Sequence, residues 1–408
     1  MVNAQDTYSV VGTGLGDQEE LTWTTSSEFG DMELAEGTTY VKTFKTVRFS
    51  IQKTLKFKVV KNHDWNQGSW GGTGTDGNYE HTYDPGVYDI TITFNTSGNS
   101  VGLSDVGRMY IVKSTDSFSN HSVGNLMDYE NGVHSVNFDA TANTSFLIVP
   151  SWALNADQTA ISKWSNVICP VAEDWYKVVL QHMAGSVNTS NNEKKWYFAE
   201  DANYTVTYYS SNNTFTIDAK KDYSIGSTGW ATYSIGNSET NYGFKISGAD
   251  AYYVSSTSGD KAFLTPITSG AIIPTKAGIM VNGSEFTIET TSTNGTNLEG
   301  NMLVGSGYYD NFNLWRNGQY VLKEIEGVLG FYPVDMDGSD KKLAPHKAFL
   351  DTNGASIRSF IGFGDEANNI NSISTQQTNG VVYSLSGQRI AQPKNGLYIV
   401  DGKKVMIK

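Results

Sequence analysis

Short segments of apolar–polar alternation, separated by glycine-rich turns, constrain the fold of this chain more than any other feature. The clearest is Tyr88–Phe94 (YDITITF), and Leu55–Val60 (LKFKVV) has a similar pattern. A period of two places successive side chains on opposite faces, as in a half-buried strand. Turn signals recur about every 8–12 residues in the first part of the chain, which predicts an antiparallel β-sandwich of immunoglobulin-like type.

Composition supports an all-β fold and excludes some partners. The chain has 41 glycines and 23 tyrosines in 408 residues, and charged residues make up only 17%. A polar surface built from Ser, Thr and Asn is common in secreted β-proteins. The formal net charge of −13 argues against nucleic acid or an anionic membrane as a partner. The single cysteine, Cys169, lies in an apolar run and is predicted to be a buried small side chain.

The order of the strand-like segments predicts four regions. Met109–Val112 (MYIV) corresponds to Thr7–Val11 (TYSVV), and later segments follow in the same order, which indicates an internal repeat. The predicted regions are a first sandwich at 6–105, a second, diverged sandwich at 106–221, a C-terminal β-domain at 222–364, and a linker with a β tail at 365–408.

A polar, glycine-rich loop with two indoles, Trp65 and Trp70, follows the strand at 55–60. The apolar C–H face of a sugar ring stacks on such flat aromatic surfaces, while nearby polar side chains bind its hydroxyls. The alternative is that both indoles only close the end of the sandwich core, because tryptophan is highly buried on average. Trp23 is predicted to pack under the sheet.

This region resembles the carbohydrate-binding modules of Bacteroidetes surface proteins. The resemblance lies in FKVVKNHDW at 57–65, the Trp/Gly loop, NYE at 78–80 and PGVYDITITFN at 85–95. Such modules include the starch-binding outer-membrane proteins of the SusE/SusF type and modules attached to amylases and pullulanases. The resemblance implies α-glucan bound on a pair of aromatic rings. The site residues that it implies are Trp65 and Trp70 as the ring pair, with Lys61, Asn62, Asp64, Asn66 and Tyr79 around them.

The second predicted sandwich carries a long insert, 155–192, where binding surface usually arises. Four tryptophans in and around it are candidates for a second sugar site, and the alternative is that at least two of them belong to the core. They are Trp152, Trp164, Trp175 and Trp196.

The C-terminal half suggests export. The run from GWATYS at 229–234 to FIGFGDE at 360–366 resembles a β-domain common near the C-termini of Bacteroidetes surface proteins, and we expect it to be a spacer or scaffold. The tail at 381–408 resembles a Bacteroidetes C-terminal sorting segment, with its GQR turn, GLYIV strand and GKKVMIK ending.

The first residues look like a start methionine placed near a signal-peptidase site. We therefore expect an extracellular or outer-membrane location.

Catalytic signatures are scarce in the sequence. It contains no HExxH, GxSxG or Walker loop, and its six histidines form no pair at metal-ligand spacing. Asp335–Asp340 has calcium-like spacing but lacks the glutamate of an EF-hand, and it is predicted to be a polar turn. We expect no enzyme activity, no cofactor and no metal.

The leading hypothesis is a non-catalytic glycan-binding protein, with starch-like α-glucan as the expected ligand. Its partners would be a polysaccharide or oligosaccharide and, by the resemblance, other outer-membrane proteins of glycan uptake. Two alternatives stay open at this point: a structural or adhesive surface protein with a protein ligand, and the accessory modules of a glycoside hydrolase.

Overall fold

The computed structural model confirms an all-β fold. It describes residues 6–17, 20–115, 121–171, 175–189, 194–236, 242–307, 312–314, 317–334, 342–354, 359–363, 382–383, 389–390, 396–400 and 403–407. Within these ranges the only helical segments are four single 3-10 turns, at Glu28–Gly30, Thr75–Gly77, Ser151–Ala153 and Trp164–Asn166. None of the described helical segments has the length and apolar content that crossing a membrane requires.

The described residues divide into two compact units. Unit 1 holds those up to Tyr223, together with 242–245 and 287–295. Unit 2 holds 224–236, 246–286 and the described residues from 296 onward. The predicted segments 6–105 and 106–221 both lie in unit 1.

The first sandwich consists of eight strands in two antiparallel sheets. Strands β1 to β8 are Tyr8–Thr13, Glu33–Glu36, Thr39–Phe49, Lys53–Lys61, Asp64–Trp70, Tyr79–Tyr83, Gly86–Asn95 and Ser100–Gly107. In one sheet β4 pairs with β1 along one edge and with both β5 and β6 along the other. The other sheet has the order β2-β3-β7-β8.

The core of this sandwich follows from the alternation in β4 and β7. Leu55, Phe57 and Val59 are fully buried, as are Ile90 and Ile92 on the facing sheet. These side chains belong to one contiguous apolar cluster. Burying apolar surface between two sheets is the dominant favourable contribution to folding.

Eleven further strands, β9 to β19, complete most of unit 1. They are Met109–Ser114, His121–Leu126, Asp128–Glu130, Val133–Ala140, Ser145–Pro150, Ile168–Pro170, Trp175–Val178, Met183–Thr189, Lys195–Phe198, Ala202–Tyr209 and Thr214–Ser224. Nine of them follow the order β10-β9-β13-β14-β16-β19-β18-β12-β11. Of the other two, β17 pairs with β13, and β15 pairs in parallel with β17.

The pairing of the first sandwich recurs among these strands. Strand β9 pairs antiparallel with β13, as β1 does with β4, and β17 pairs with β13 as β6 does with β4. The order β11-β12-β18-β19 repeats the order β2-β3-β7-β8. Cys169 lies fully buried in β14, as its apolar neighbours predicted.

The remaining strands follow in chain order. Strands β20 to β33 are Trp230–Tyr233, Tyr242–Ser247, Asp250–Ser258, Lys261–Ile267, Ile273–Pro274, Ile279–Asn282, Glu285–Asn294, Leu303–Gly305, Phe312–Asn313, Gln319–Ile325, Val328–Pro333, Lys342–Leu343, Ala348–Asp351 and Gly362–Phe363. Unit 2 contains the sheets β20-β25-β22-β23-β33 and β27-β32-β29-β30, whose core includes Val254, Met280 and Phe331.

The C-terminal residues add one small sheet. Strands β34 to β37 are Val382–Tyr383, Arg389–Ile390, Gly396–Val400 and Lys403–Ile407, in the order β35-β34-β36-β37. The predicted linker at 365–379 and the calcium-like turn at 335–340 lie outside the described residues.

Candidate ligand-binding site

Among the Phe, Tyr and Trp side chains that the structure describes, two tryptophans are the only exposed ones. Trp23 and Trp65 are 37% and 40% exposed, whereas the other described aromatic residues are buried or half-buried. Their ring centroids lie 6.5 Å apart, and the ring planes meet at 30°. We call these two residues the Trp pair.

The β4–β5 hairpin places Trp65. Its turn consists of Asn62 and His63, which both have positive φ (49° and 55°), as in a type I′ turn. Lys61 lies opposite Asp64, but Val60 lies opposite Ser69. Residues 65–68 therefore have no partner in this register and form an extended bulge. Bulges of this kind redirect side chains and occur often beside functional sites.

Trp70 points in the other direction, into the first sandwich. It lies opposite the fully buried Val59, so its side chain is on the core face of the sheet. Its ring centroid is 4.6 Å from that of Phe94 and 6.0 Å from that of Tyr8. The predicted pair of Trp65 and Trp70 is therefore not formed, because the bulge separates the two indoles and Trp70 packs against the core.

Tyr79 also packs against the core rather than beside the exposed indole. Its ring stacks on that of Phe57, with centroids 5.0 Å apart and planes at 27°. The two residues are register partners between β6 and β4. Tyr79 therefore supports the sandwich from within, unlike its predicted place at the sugar site.

The second ring of the pair comes from Trp23, whose predicted place was under the sheet. Trp23 lies on the loop between β1 and β2, and His63 ties this loop to the hairpin. The Nδ1–H of His63 donates to the carbonyl of Thr25, and Nε2 lies 3.0 Å from Oδ1 of Asp31. The loop backbone also bonds to β1, where the N–H of Gly12 donates to the carbonyl of Thr22 over 3.0 Å.

Polar side chains next to Trp65 form a small network. Oδ1 of Asp64 accepts from the backbone N–H of Asn66 at 2.9 Å, and its Oδ2 accepts from Nε2 of Gln67 at 3.3 Å. The hydrogen bonds from Asn66 and then Gln67 lower the pKa of Asp64, so this carboxylate remains ionised. Asn66 and Gln67 are exposed and offer amide donors and acceptors beside the indole.

Lys61 and Asn62, two further predicted sugar ligands, have structural partners instead. Nζ of Lys61 lies 2.7 Å from Oδ2 of Asp6, and this hydrogen bond raises the pKa of Lys61 and lowers that of Asp6. Oδ1 of Asn62 accepts from the N–H of Thr7 at 2.8 Å, while its Nδ2 donates to Gln67 at 2.9 Å. Both residues hold the hairpin against the start of β1.

The three tryptophans of the second predicted sandwich whose side chains the structure describes do not form a comparable surface. Trp196 is fully buried and stacks on Phe146, with centroids 5.0 Å apart. Trp152 is half-buried and covers Gly107 so closely that a Cβ there would come within 2.0 Å of its ring. Trp164 packs against the apolar cluster around Val149. The side chain of Trp175 lies outside the described residues.

Sequence reasoning missed Trp23 and Gln67. Both lie in polar segments whose local pattern indicates only loops and turns. Trp23 and Trp65 lie on two loops that His63 connects, and the sequence carries no local signal for such long-range contacts.

Comparison with known proteins adds little to this geometry. No family model matches the chain, and no curated protein matches it. Among solved structures, a pullulanase from Bacillus acidopullulyticus is similar to part of this chain. The alignment covers 53% of this chain and 28% of the pullulanase chain, with 13% sequence identity and a TM-score of 0.20. The aligned part is thus under a third of that enzyme. Similarity at this level does not identify a shared function.

Proposed function

We propose that this protein is a non-catalytic glycan-binding protein and that a sugar ring stacks on the Trp pair. The observation that carries the proposal is the exposure of Trp23 and Trp65 side by side. Large apolar rings grouped at a surface, and not scattered singly, indicate a binding site. Exposed Asn66 and Gln67 and the ionised Asp64 supply hydroxyl partners within the same hairpin.

The geometry of the pair favours a curved glycan as ligand. Its rings are inclined at 30° with centroids 6.5 Å apart, so they form a bent surface and not a plane. An α-linked glucan curves along its length, whereas a β-1,4-glucan is a flat ribbon. We therefore propose starch-like α-glucan as the ligand, with an extracellular or cell-surface location.

Affinity electrophoresis tests this proposal directly. Native protein is run through gels that contain amylopectin, pullulan or a β-glucan, and retardation is measured against an inert reference. We expect retardation by the α-glucans and its loss in the Trp23→Ala/Trp65→Ala variant. Each stacked ring should contribute about 1–2 kcal/mol, or roughly a five- to thirty-fold change in affinity.

Ile51→Ala is the matched control, because Ile51 is an apolar side chain that is 66% exposed and lies outside the hairpin. It should be retarded like the native protein. Full retardation of the Trp23→Ala/Trp65→Ala variant would refute the site, and no retardation of the native protein by any glycan would refute the function.

A further inference from the structure

A cleft separate from the Trp pair lies within unit 1, at the junction of the first sandwich and the strands that follow it. Its volume is about 820 Å³, within the range of small-molecule sites. One wall is the middle of β3, with Lys45 and Thr46, and the other is the β11–β12 hairpin around Tyr129. We call it the junction cleft.

The floor of the junction cleft is a buried ion pair. Arg108 and Asp89 are only 5% and 6% exposed, and Nη1 of Arg108 lies 3.1 Å from Oδ1 of Asp89. Arg108, which lies between β8 and β9, also donates to the carbonyl of Met127 on the opposite wall. Ser151 adds a second buried link, because its Oγ bonds to both the N–H and the carbonyl of Val87 at 2.9 Å.

These bonds hold both walls in one arrangement. A buried charge that loses its partner is strongly unfavourable, so the Arg108–Asp89 pair resists separation of the walls. The junction cleft is therefore preformed, and a ligand would not need to bring the two sandwiches together first.

The β3 wall is strained at the cleft. The register of β3 against β7 shifts between Phe44 and Val47, which marks a bulge. Within it Thr46 has a φ of +56°, an outlier for a β-branched residue, and its N–H donates to Oδ1 of Asp89 at 2.7 Å. Such conformations persist where surrounding bonds impose them and cluster at ligand sites.

The chemistry of the lining indicates the class of ligand. Lys45 and Glu130 have no side-chain ion pair or hydrogen bond with any described residue, and Asp128 is almost fully exposed apart from a 4.0 Å approach to Arg108. A lysine and two carboxylates thus line the same cleft as the half-buried Tyr129. Donors and acceptors around an aromatic wall suit a polyhydroxylated ring. The two carboxylates oppose a phosphate or another anion.

We infer that the junction cleft is a saccharide-binding site for short oligosaccharides, separate from the Trp pair. Tyr129 provides the stacking face, and Lys45, Asp128 and Glu130 bind hydroxyls. This site rests on the proposed function for its class of ligand, a saccharide. It is formed by different residues in a different part of unit 1.

Titration calorimetry with maltotriose, cellotriose and mannotriose tests the inference. The background is the Trp23→Ala/Trp65→Ala variant, in which the Trp pair no longer contributes. Ser135→Trp fills the cleft from the outward face of β12, and Asp128→Asn/Glu130→Gln removes the carboxylates; neither alters Arg108 or Asp89. Ser104→Trp, on exposed β8, is the control for added bulk.

We expect at least one trisaccharide to bind the background variant and the Ser104→Trp control equally. Its affinity should fall at least tenfold in both cleft variants. Unchanged affinity in the cleft variants, or no trisaccharide binding to the background variant, would overturn the inference. The proposed function has a separate readout, the retardation of the native protein by polysaccharide, so the two can fail independently.

Discussion

Arg108 donates from Nη1 to both carboxylate oxygens of Asp89, at 3.1 and 3.3 Å, and both side chains are more than nine-tenths buried. Removing either partner leaves a buried charge without its counter-charge. We therefore expect Arg108→Met or Asp89→Asn to lower the free energy of unfolding by about 3–5 kcal/mol. Urea unfolding followed by tryptophan fluorescence measures this change.

A surface ion pair provides the control. Arg48 lies 3.8 Å from Asp17, and both side chains are substantially exposed. Arg48→Met should therefore change the free energy of unfolding by less than about 1 kcal/mol. Equal effects of the Arg48 and Arg108 variants would contradict the role given to the buried pair.

Truncation of the two tryptophans of the β4–β5 hairpin should change the free energy of unfolding by different amounts. Trp70 packs against Phe94 and Tyr8, so Trp70→Ala should lower the free energy of unfolding by about 3 kcal/mol. Trp65→Ala should change it by less than about 1 kcal/mol, because the Trp65 ring is 40% exposed. Chemical denaturation of both variants checks the assignment, and a larger loss in Trp65→Ala would reverse it.

His63 should act on glycan binding through the position of Trp23. In His63→Asn the new asparagine tolerates the positive φ of this position, but the ring contacts to Thr25 and Asp31 are lost. The loop is then no longer tied to the hairpin, and we expect several-fold weaker retardation in amylopectin gels. His81→Asn, at an exposed histidine on β6, should leave retardation unchanged. Native retardation of His63→Asn would show that the loop holds its place without the histidine.

Buried His134 should make unfolding depend on pH. Burial, reinforced by the charge of Arg108, lowers the pKa of His134 from 6.5 to about 4. The unfolded chain takes up this proton near pH 6.5, but the folded chain does so only near pH 4. The stability contribution of the neutral ring is therefore complete above pH 6.5 and is lost as the pH falls toward 4, by about 3 kcal/mol in total.

His134→Phe isolates this contribution. The ring lies between Tyr129 and Tyr208, and its Nδ1 is buried without a hydrogen bond, so phenylalanine retains the shape. We expect the variant to gain about 3 kcal/mol relative to the native protein between pH 7 and pH 4. Urea unfolding at both pH values measures the difference, and parallel pH curves would refute the assignment.

The candidate site was only partly predictable from the sequence. Trp65 and its neighbours Asp64 and Asn66 could be proposed because a polar, glycine-rich loop follows a strand. Its partner ring could not, since Trp23 lies on another loop, which is held by contacts with His63 and with β1. Trp70 was misassigned because the bulge at 65–68 cannot be read from the residue spacing.

The sequence by itself determined the strands and the all-β class. Alternation such as that of Tyr88–Phe94 is local, and each strand needs only its own side chains to select a buried face. Tertiary structure alone decided which tryptophans meet at the surface and that Arg108 and Asp89 form a buried pair. Strand register, bulges and loop contacts join residues far apart in the chain, and local alternation does not specify those distances.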